Sequence, residues 1–232
     1  MIEKGFEVPV LGAGYVRYID HLGTDQRIVE TARISYKSPS KGEDADKKLL
    51  FYLFKNRHTS PFEACNITFN IKMPIFCMRQ FVRHRTMRLN EWSGRYSELA
   101  DEFYLPTEWR LQDTKNKQGS IVPEETGLED FHDESEQIAK ECFAFTYDGY
   151  QGLLARGVAK ELARIVLPVA LFTEIYVNVD VHNLMHFLNL RQDPHAQLEM
   201  REIANAMDTI FKELYPWCAE ARAKYKWKLI EE

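Results

Sequence analysis

The sequence predicts a single α/β domain of the α+β type, in which long helices flank a central, mostly antiparallel sheet. The length of 232 residues suits one compact unit, which we expect to span residues 1–232. Two segments have the pattern of strands, and several long helical patterns lie around them. Strand and helix do not alternate regularly, which disfavours a doubly wound sheet.

The first third of the chain predicts two helices and a clear strand. Residues 24–34 suit a helix, residues 38–48 a loop, and residues 47–57 a second helix. The strand is residues 66–73, "NITFNIKM", where apolar and polar residues alternate with a period of two. One face of this strand is therefore expected to be buried.

A helix is expected to follow the strand directly. Pro74 suits its first turn, and the pattern continues to residue 85. The residues that share one face of this helix are Gln80, Arg83, His84 and Met87. Residues 90–98 contain Ser, Gly and Asn and predict an ordered loop.

The rest of the chain predicts mostly helices with one further strand. The expected elements are a polar surface excursion (112–130), a helix (131–156) stopped by Gly157, a short helix (160–168), a strand (170–180), a helix (182–191), and a last helix from Pro194 to Tyr215 capped by Asp193. The strand is assigned from its β-branched and aromatic residues.

The composition disfavours a general binder of nucleic acids or anionic membranes. The net charge is −5 and the pI is about 5.9, so any positively charged site must be local. The cysteines are scattered, without zinc spacing, and free thiols suggest a reducing compartment. Neither a signal peptide nor a run long enough to span a membrane is evident. We therefore expect a cytoplasmic protein without a membrane partner.

The stretch "FVRHRTMRLNEWSGRY" (81–96) is strongly basic within this acidic chain. It contains four arginines and a histidine against the single carboxylate Glu91. The planar guanidinium group of arginine suits phosphate, and Ser93-Gly94 lets backbone N–H groups approach an oxyanion. The alternative is a solvated basic helix end, although buried roles for Phe81 and Trp92 would argue against it.

Three further segments carry candidate functional residues. In "RHTSPFE" (57–63), Ser60 is either a turn residue or a ligand contact. In "ARIVLP" (163–168), Arg164 either pairs with an anion or extends to solvent. Residues 180–197 place two histidines at i and i+4, but the central Glu and third ligand of a zinc site are missing, so no metal is expected.

If these segments converge, they form a site for several anionic groups, such as a nucleotide and a dinucleotide cofactor. The glycine motifs of Rossmann and P-loop proteins are absent from the sequence. The rival interpretation is a non-enzymatic binder of RNA or single strands that uses residues 81–96. The acidic pI disfavours that class, and the residues alone indicate only a nucleotide-type anion site.

Arg83-His84-Arg85, seven residues and then Ser93 spell R-H-R-x7-S, which resembles the motif of the flavin-dependent thymidylate synthases. Further segments that resemble this family, in the expected order, are "HTSPFE" (58–63), "RQFVRHR" (79–85), "NEWSGRYS" (90–97), "ARIVLP" (163–168) and "LMHFLNLRQDPHAQ" (184–197). Together they extend over most of the chain.

The resemblance implies the thymidylate synthase-complementing protein fold and a homotetramer with FAD and the active sites at subunit interfaces. The implied reaction converts dUMP to dTMP. Methylenetetrahydrofolate donates the carbon, and NADPH supplies reducing equivalents through the flavin. Cys77 is then not a nucleophile. No nucleic acid partner is implied.

The resemblance also assigns residues, with Arg191 as the catalytic residue that stabilises the ionised uracil ring. The implied dUMP contacts are Gln80, Phe81, Val82, Arg83, Glu91, Trp92, Ser93, Gly94, Arg95, Arg164 and Arg191. The implied FAD contacts are His58, Ser60, Arg83, His84, Arg85, Glu91, Asp180, His182 and His186.

The chain departs from the family pattern at two places. Asp180 and His182 stand where many members have Asn-x-Arg, which changes the charge near the flavin. Arg88-Leu89 replaces a Ser-Tyr-like pair, and Arg88 either contacts a phosphate or faces solvent. The alternative function is therefore a family member that binds FAD and nucleotide but has an altered activity.

Overall fold

A computed structural model describes residues 2–117, 119–122 and 129–225. Its strands are β1 (Glu7–Val10), β2 (Gly14–Leu22), β3 (Asn66–Pro74), β4 (Arg88–Glu91), β5 (Leu111–Gln112), β6 (Ser120–Ile121) and β7 (Phe172–Asp180). Five of them form an antiparallel sheet in the order β1-β2-β3-β7-β4, while β5 and β6 form a separate hairpin. The predicted fold class is confirmed.

The described helices differ widely in length. They are α1 (Asp25–Arg33), α2 (Glu43–Lys55), α3 (Ser60–Glu63), α4 (Ile75–Phe81), α5 (Glu129–Ala155), α6 (Lys160–Ala163), α7 (Val181–Arg191), α8 (Leu198–Leu214) and α9 (Pro216–Tyr225), with 3-10 turns at Ile34–Tyr36 and Arg164–Val166. Within the described part of the chain, none of these helices is both long and apolar enough to cross a membrane.

The core lies between one face of the sheet and the helices. The alternating apolar residues of β3 are all fully buried, as the period-two pattern predicts: Ile67, Phe69, Ile71 and Met73. The same face of β7 contributes Ile175, Val177 and Val179. Fully burying a side chain of this size contributes about 1.5–3 kcal/mol, so this layer holds the sheet against the helices.

The pairing of β3 with β7 determines where α4 and α7 meet. The two strands are antiparallel over their whole length, with Asn66 opposite Asp180 and Pro74 opposite Phe172. Each strand leads directly into a helix, so α4 and α7 start at opposite ends of the sheet and run back towards each other. Their C-terminal ends come together, with the rings of Phe81 and Phe187 5.2 Å apart.

Several predicted boundaries are wrong. The second helix starts at Glu43, inside the predicted loop 38–48, because acidic residues such as Asp44 suit the positive end of a helix dipole. α4 ends at Phe81 instead of continuing to residue 85, so the predicted helix face does not form. Turns follow, with Met87 N donating to His84 O.

The last predicted helix is also corrected. It starts at Leu198, and Asp193 does not cap it, since the Asp193 carboxylate accepts a hydrogen bond from the backbone N–H of His195. The predicted excursion 112–130 contains the β5–β6 hairpin, and residues 118 and 123–128 lie outside the described residues. Seven of the described strands and α-helices were not predicted: β1, β2, β4, β5, β6, α3 and α9.

Candidate functional site

The meeting point of α4 and α7 brings together two of the predicted site residues. The Nε of Arg191, the last residue of α7, donates a hydrogen bond of 2.9 Å to Nε2 of His84. The His84 ring also lies edge-on against Phe187, at 4.8 Å between ring centres. The guanidinium of Arg191 is therefore held in one orientation by an imidazole that is itself packed in place.

The protonation state of His84 follows from its surroundings. Burial, the charge of Arg191 and the proximity of His186 together lower the pKa of His84 to about 4. At neutral pH the ring is uncharged, and its Nε2 accepts the hydrogen bond from the Nε–H of Arg191. A group with so low a pKa is a weak general base, so its geometry suits a positioning role.

Arg191 is a partly buried cation at the C-terminal end of α7. Among the described residues, it forms no ion pair with a carboxylate. Burial lowers the pKa of Arg191, but a guanidinium stays charged at neutral pH. The hydrogen bond to His84 uses Nε and leaves the terminal nitrogens for a ligand. The local arrangement therefore fits an anion or a group that becomes negatively charged.

Gln80 lies close to this pair, on α4 shortly before His84. Its amide nitrogen donates to the side-chain oxygen of Gln197, just before α8. The amide of Gln197 in turn donates to Glu199 at 2.9 Å. Neither Gln197 nor Glu199 was predicted as a site residue, although Glu199 has one detectable signal: a carboxylate next to the apolar positions of an amphipathic helix.

Glu91 and its neighbours form the edge of the sheet. The hydroxyl of Thr173 on β7 donates to Glu91 at 2.8 Å and holds the carboxylate in place. Phe81 is fully buried, as expected, but Trp92 is 40% exposed, so its predicted burial is wrong. Val82 is also exposed. β4 is an edge strand, so no described strand lies beyond it to cover Trp92.

Ser93, Gly94 and Arg95 form a tight turn beside α6. The backbone N–H of Arg95 donates to Ser93 Oγ at 3.3 Å, and its guanidinium pairs with Glu161 at 3.1 Å. A Cβ at Gly94 would lie 2.9 Å from Cδ1 of Leu99, so a larger residue here would require the Leu99 side chain to move. The turn and the nearby Glu161 and Arg164 are called the Arg95 group below.

Arg164 is exposed, and its apolar neighbour Ile165 is 75% exposed. The sequence placed Arg164 among apolar residues, and in this chain those residues are not buried. Of the two alternatives, the side chain extends to solvent, and among the described residues it forms no ion pair. It is thus available to an anionic ligand.

Four of the residues expected near FAD lie on α3, on α7 and beside α2. The ring of His58 packs edge-on against Tyr52, and Ser60 is the first residue of α3. His182 and His186 lie one turn apart on α7. Asn189, also on α7, accepts a hydrogen bond from Arg222 on α9.

Asp180 has a local structural role. Its carboxylate caps α7 by accepting hydrogen bonds from the backbone and the side-chain nitrogen of Asn183, at 2.8 and 2.6 Å. An oxygen that caps a helix is less available to a cofactor. Among residues 2–117, 119–122 and 129–225, no three His, Cys, Asp or Glu side chains cluster to hold a metal ion.

The predicted residues thus fall into separate groups. No hydrogen bond or ion pair between described residues joins the Arg95 group to Gln80, His84 or Arg191. Arg83 and Arg85 are exposed and likewise have no carboxylate partner in the described part of the chain. Cys77 is fully buried, and burial near Glu199 and Glu202 raises its pKa well above the ordinary value, which is unsuited to a nucleophile.

Residues 17–217 match the family model described as thymidylate synthase complementing protein. The chain belongs to this family. It is 45% identical to a flavin-dependent thymidylate synthase of Kosmotoga olearia over 215 residues, which cover 93% of this chain and 92% of that protein. It is 47% identical to a protein of the same name from Treponema denticola over 212 residues, 90% of this chain and 79% of that one.

The fold is also similar to a solved structure. The UMP/dUMP methylase PolB from Streptomyces cacaoi, bound with 5-Br UMP, superposes with a TM-score of 0.82 at 32% identity, covering 91% of this chain and 94% of that chain. The same protein bound with 5-Br dUMP matches with a TM-score of 0.81. The family resemblance drawn from the motifs is therefore confirmed over most of the chain.

Proposed function

We propose that this protein is a flavin-dependent thymidylate synthase, a methyltransferase that converts dUMP to dTMP. Methylenetetrahydrofolate donates the carbon, and NADPH supplies reducing equivalents through FAD. The observation that carries the proposal is the hydrogen bond between Arg191 and His84. It orients a partly buried cation that has no carboxylate partner among the described residues, in a chain similar to proteins of that name.

Arg191 serves as the catalytic residue in this proposal. A fixed cation stabilises negative charge that develops on the uracil ring, without reorganisation during the reaction. His84 acts as the positioning residue, since its neutral ring accepts from Nε and leaves the terminal N–H groups to face the pyrimidine. Gln80 lies close enough to take part in the same binding surface.

The dUMP phosphate is assigned to the Arg95 group. Arg95 and Arg164 provide positive charge, and Ser93 with Gly94 provides a hydroxyl and a closely approachable backbone. The exposed ion pair between Arg95 and Glu161 contributes little and can be exchanged for a phosphate. Glu91, held by Thr173, is suited to accept from a hydroxyl of the nucleotide.

The residues present fit FAD. Arg83 and Arg85 are exposed cations that can pair with its pyrophosphate, and His58, Ser60, His182 and His186 offer hydrogen-bonding groups. Bound FAD would supply the reducing power that the side chains lack. Asp180 is the least suited of the expected contacts, because its carboxylate already caps α7.

Self-association as a homotetramer completes the proposal. Among the described residues, no hydrogen bond or ion pair joins the Arg95 group to the Arg191–His84 pair, which is compatible with a site that takes one group from each of two chains. Large apolar side chains left exposed on a single chain support such contacts: Trp92, Phe145 and Ile165.

Two measurements test the function. The purified protein should be yellow, its absorption should bleach with NADPH, and tritium should be released from C5-labelled dUMP only when the folate is present. A colourless protein that takes up no added FAD contradicts the proposal. Tritium release without the folate, or from UMP in preference to dUMP, would instead indicate an altered activity within the family.

A further inference from the structure

A directed chain of hydrogen bonds connects Gln80 to a buried carboxylate. Gln80 donates to Gln197, and Gln197 donates to Oε2 of Glu199. The other oxygen of Glu199 accepts from the hydroxyl of Tyr104 at 3.0 Å and from the guanidinium of Arg110 at 2.6 Å. The side chain of Glu199 is only 3% exposed.

Glu199 remains charged despite its burial. Burial on its own raises the pKa of this carboxyl, but hydrogen bonds from Arg110, from its own backbone and from Gln197 hold the pKa below the ordinary value. Arg110 is fixed in turn by the hydroxyl of Ser120 on the β5–β6 hairpin, at 2.9 Å from its Nε. The Glu199 carboxylate is therefore negatively charged at neutral pH, and it ends the series of hydrogen bonds that begins at Gln80.

The negative charge of Glu199 determines which group donates in each hydrogen bond between Gln80, Gln197 and Glu199. An ionised carboxylate can only accept, so Gln197 must turn its NH2 group towards Glu199 and its oxygen towards Gln80. Gln80 must therefore point its own NH2 group at Gln197. Its side-chain oxygen is left over, and no described residue donates to it.

We propose that Glu199 is a positioning residue that, through Gln197, makes Gln80 present its carbonyl oxygen to the bound nucleotide. The inference rests on the proposed function, in which Gln80 lies at the dUMP site. The oxygen would accept a hydrogen bond from an N–H or O–H donor of the nucleotide, either the N3–H of the uracil or the 3′-hydroxyl of the sugar. A ligand lacking that donor would bind less well.

The test uses Glu199→Gln in the FAD-loaded protein, with the Kd for dUMP and kcat/KM as readouts. The oxygen of the new amide still accepts from Arg110 and Tyr104, so its NH2 group points at Gln197. Gln197 must then flip, and Gln80 presents an NH2 group to the nucleotide. We expect dUMP binding and kcat/KM to fall by about tenfold or more, and values near those of the wild type would overturn the inference.

A double variant shows whether Glu199→Gln weakens dUMP binding by reversing the hydrogen bonds or by removing a charge or disturbing the packing. In Gln197→Glu with Glu199→Gln, the carboxylate at position 197 accepts from both Gln80 and the amide at position 199. Gln80 again presents its oxygen, so dUMP binding should recover to within about threefold of the wild type. A double variant as weak as the single one, with the same melting temperature, would overturn the inference.

A matched control and a second variant complete the design. Glu202→Gln makes the same chemical change on the same helix, outside the hydrogen-bond chain, and should leave dUMP binding unchanged. If Glu199→Gln does not fold, Gln197→Met serves instead. It removes both hydrogen bonds of the Gln197 amide and leaves the Glu199–Arg110 ion pair intact. It should weaken dUMP binding in the same direction, and unchanged binding would overturn the inference.

Two analogues identify the donor and separate this inference from the proposed function. The penalty of Glu199→Gln should disappear for either 3′-deoxy-dUMP or N3-methyl-dUMP, whichever lacks the contacted donor, and a penalty that persists with both overturns the inference. Wild-type protein that binds dUMP without forming dTMP counts against the proposed function alone. Wild-type protein that does not bind dUMP overturns both.

Discussion

The hydrogen bond between Arg191 and His84 accounts for the fixed orientation of the guanidinium, and the charge of Arg191 helps to keep the imidazole neutral. The guanidinium donates to the imidazole and also helps to keep it neutral, while the imidazole fixes the orientation of the guanidinium. A lysine could supply the charge at position 191 but not the fork of N–H groups that contacts both His84 and a ligand. The two residues are therefore tested separately: Arg191 by its effect on turnover, and His84 by its effect on the pH dependence of stability.

Arg191→Ala should abolish dTMP formation while the protein still folds. The change removes the fixed cation beside the uracil, and loss of one such electrostatic contact typically reduces kcat by about 100- to 1000-fold. Turnover assays with saturating dUMP measure the loss. Arg156→Ala is the matched control, because this exposed arginine lies just after α5 and its side chain, within the described part of the chain, donates a hydrogen bond only to the carbonyl of Gly152. Near-normal turnover of Arg191→Ala would remove Arg191 from its proposed role.

His84 should make the protein less stable as the pH falls. Its pKa in the folded state is about 4, below the ordinary 6.5 expected for the unfolded chain. Between these values the unfolded chain binds a proton that the folded one does not. The contribution is therefore complete above about pH 6.5 and is lost as the pH falls towards 4. Because the ring is partly solvated, we expect the free energy of unfolding to fall by about 1–2 kcal/mol over this pH range.

Urea denaturation between about pH 7 and pH 4.5 measures this effect. The comparison protein is His84→Gln, which keeps an acceptor for Arg191 but does not titrate. Other histidines with lowered pKa values, such as His182, contribute equally to both proteins. The difference between the two curves isolates His84, and parallel curves would show that its protonation has no effect on stability.

The sequence singles out some candidate residues of the site and misses the residues that support them. The segments that resemble the family, 79–85 and 184–197, singled out His84 and Arg191 as candidates because their residue types and order are distinctive. They did not identify Thr173 or Gln197, because common polar residues carry no signal until the fold places them against Glu91 or Gln80. The supporting residues of a site depend on contacts between distant segments, which one sequence does not reveal.

Among the elements, α7 depends on the N-terminal cap formed by Asp180. The Asp180 carboxylate accepts both the backbone N–H and the side-chain amide of Asn183. Asp180→Ala should lower the free energy of unfolding by about 1 kcal/mol, and Asp180→Asn by less, because Asn still accepts the backbone bond. Urea denaturation measures both. Weaker FAD binding by Asp180→Asn, with stability unchanged, would instead indicate a direct contact with the cofactor.

The elements differ in how well the sequence predicts them, for physical reasons. β3 and β7 carry strong apolar patterns because their buried faces form the core. β4 has only four residues, all exposed, and forms by pairing with β7, so it leaves no periodic signal. β2 could have been found, since Val16 and Tyr18 alternate with Tyr15 and Arg17.

At the scale of the whole molecule, the proposed site residues form two groups that no hydrogen bond or ion pair between described residues connects. The Arg95 group pairs internally through Glu161, and the Arg191–His84 pair lies where α4 and α7 meet. Exposed Trp92 and Ile165 lie next to the first group in sequence. Contacts between chains that cover these side chains would bring the two groups together, which is the geometry that the proposed homotetramer requires.

Complementation between inactive variants tests this arrangement. Arg95→Ala and Arg191→Ala should each be inactive alone, since each removes one necessary cation from every site. If a site takes Arg95 from one subunit and Arg191 from another, subunits mixed in equal amounts and reassociated should recover about a quarter of the wild-type activity, because that fraction of sites receives both arginines. Each variant reassociated with itself is the control. If both arginines come from the same chain, every site retains one defect, and the mixture stays as inactive as its components.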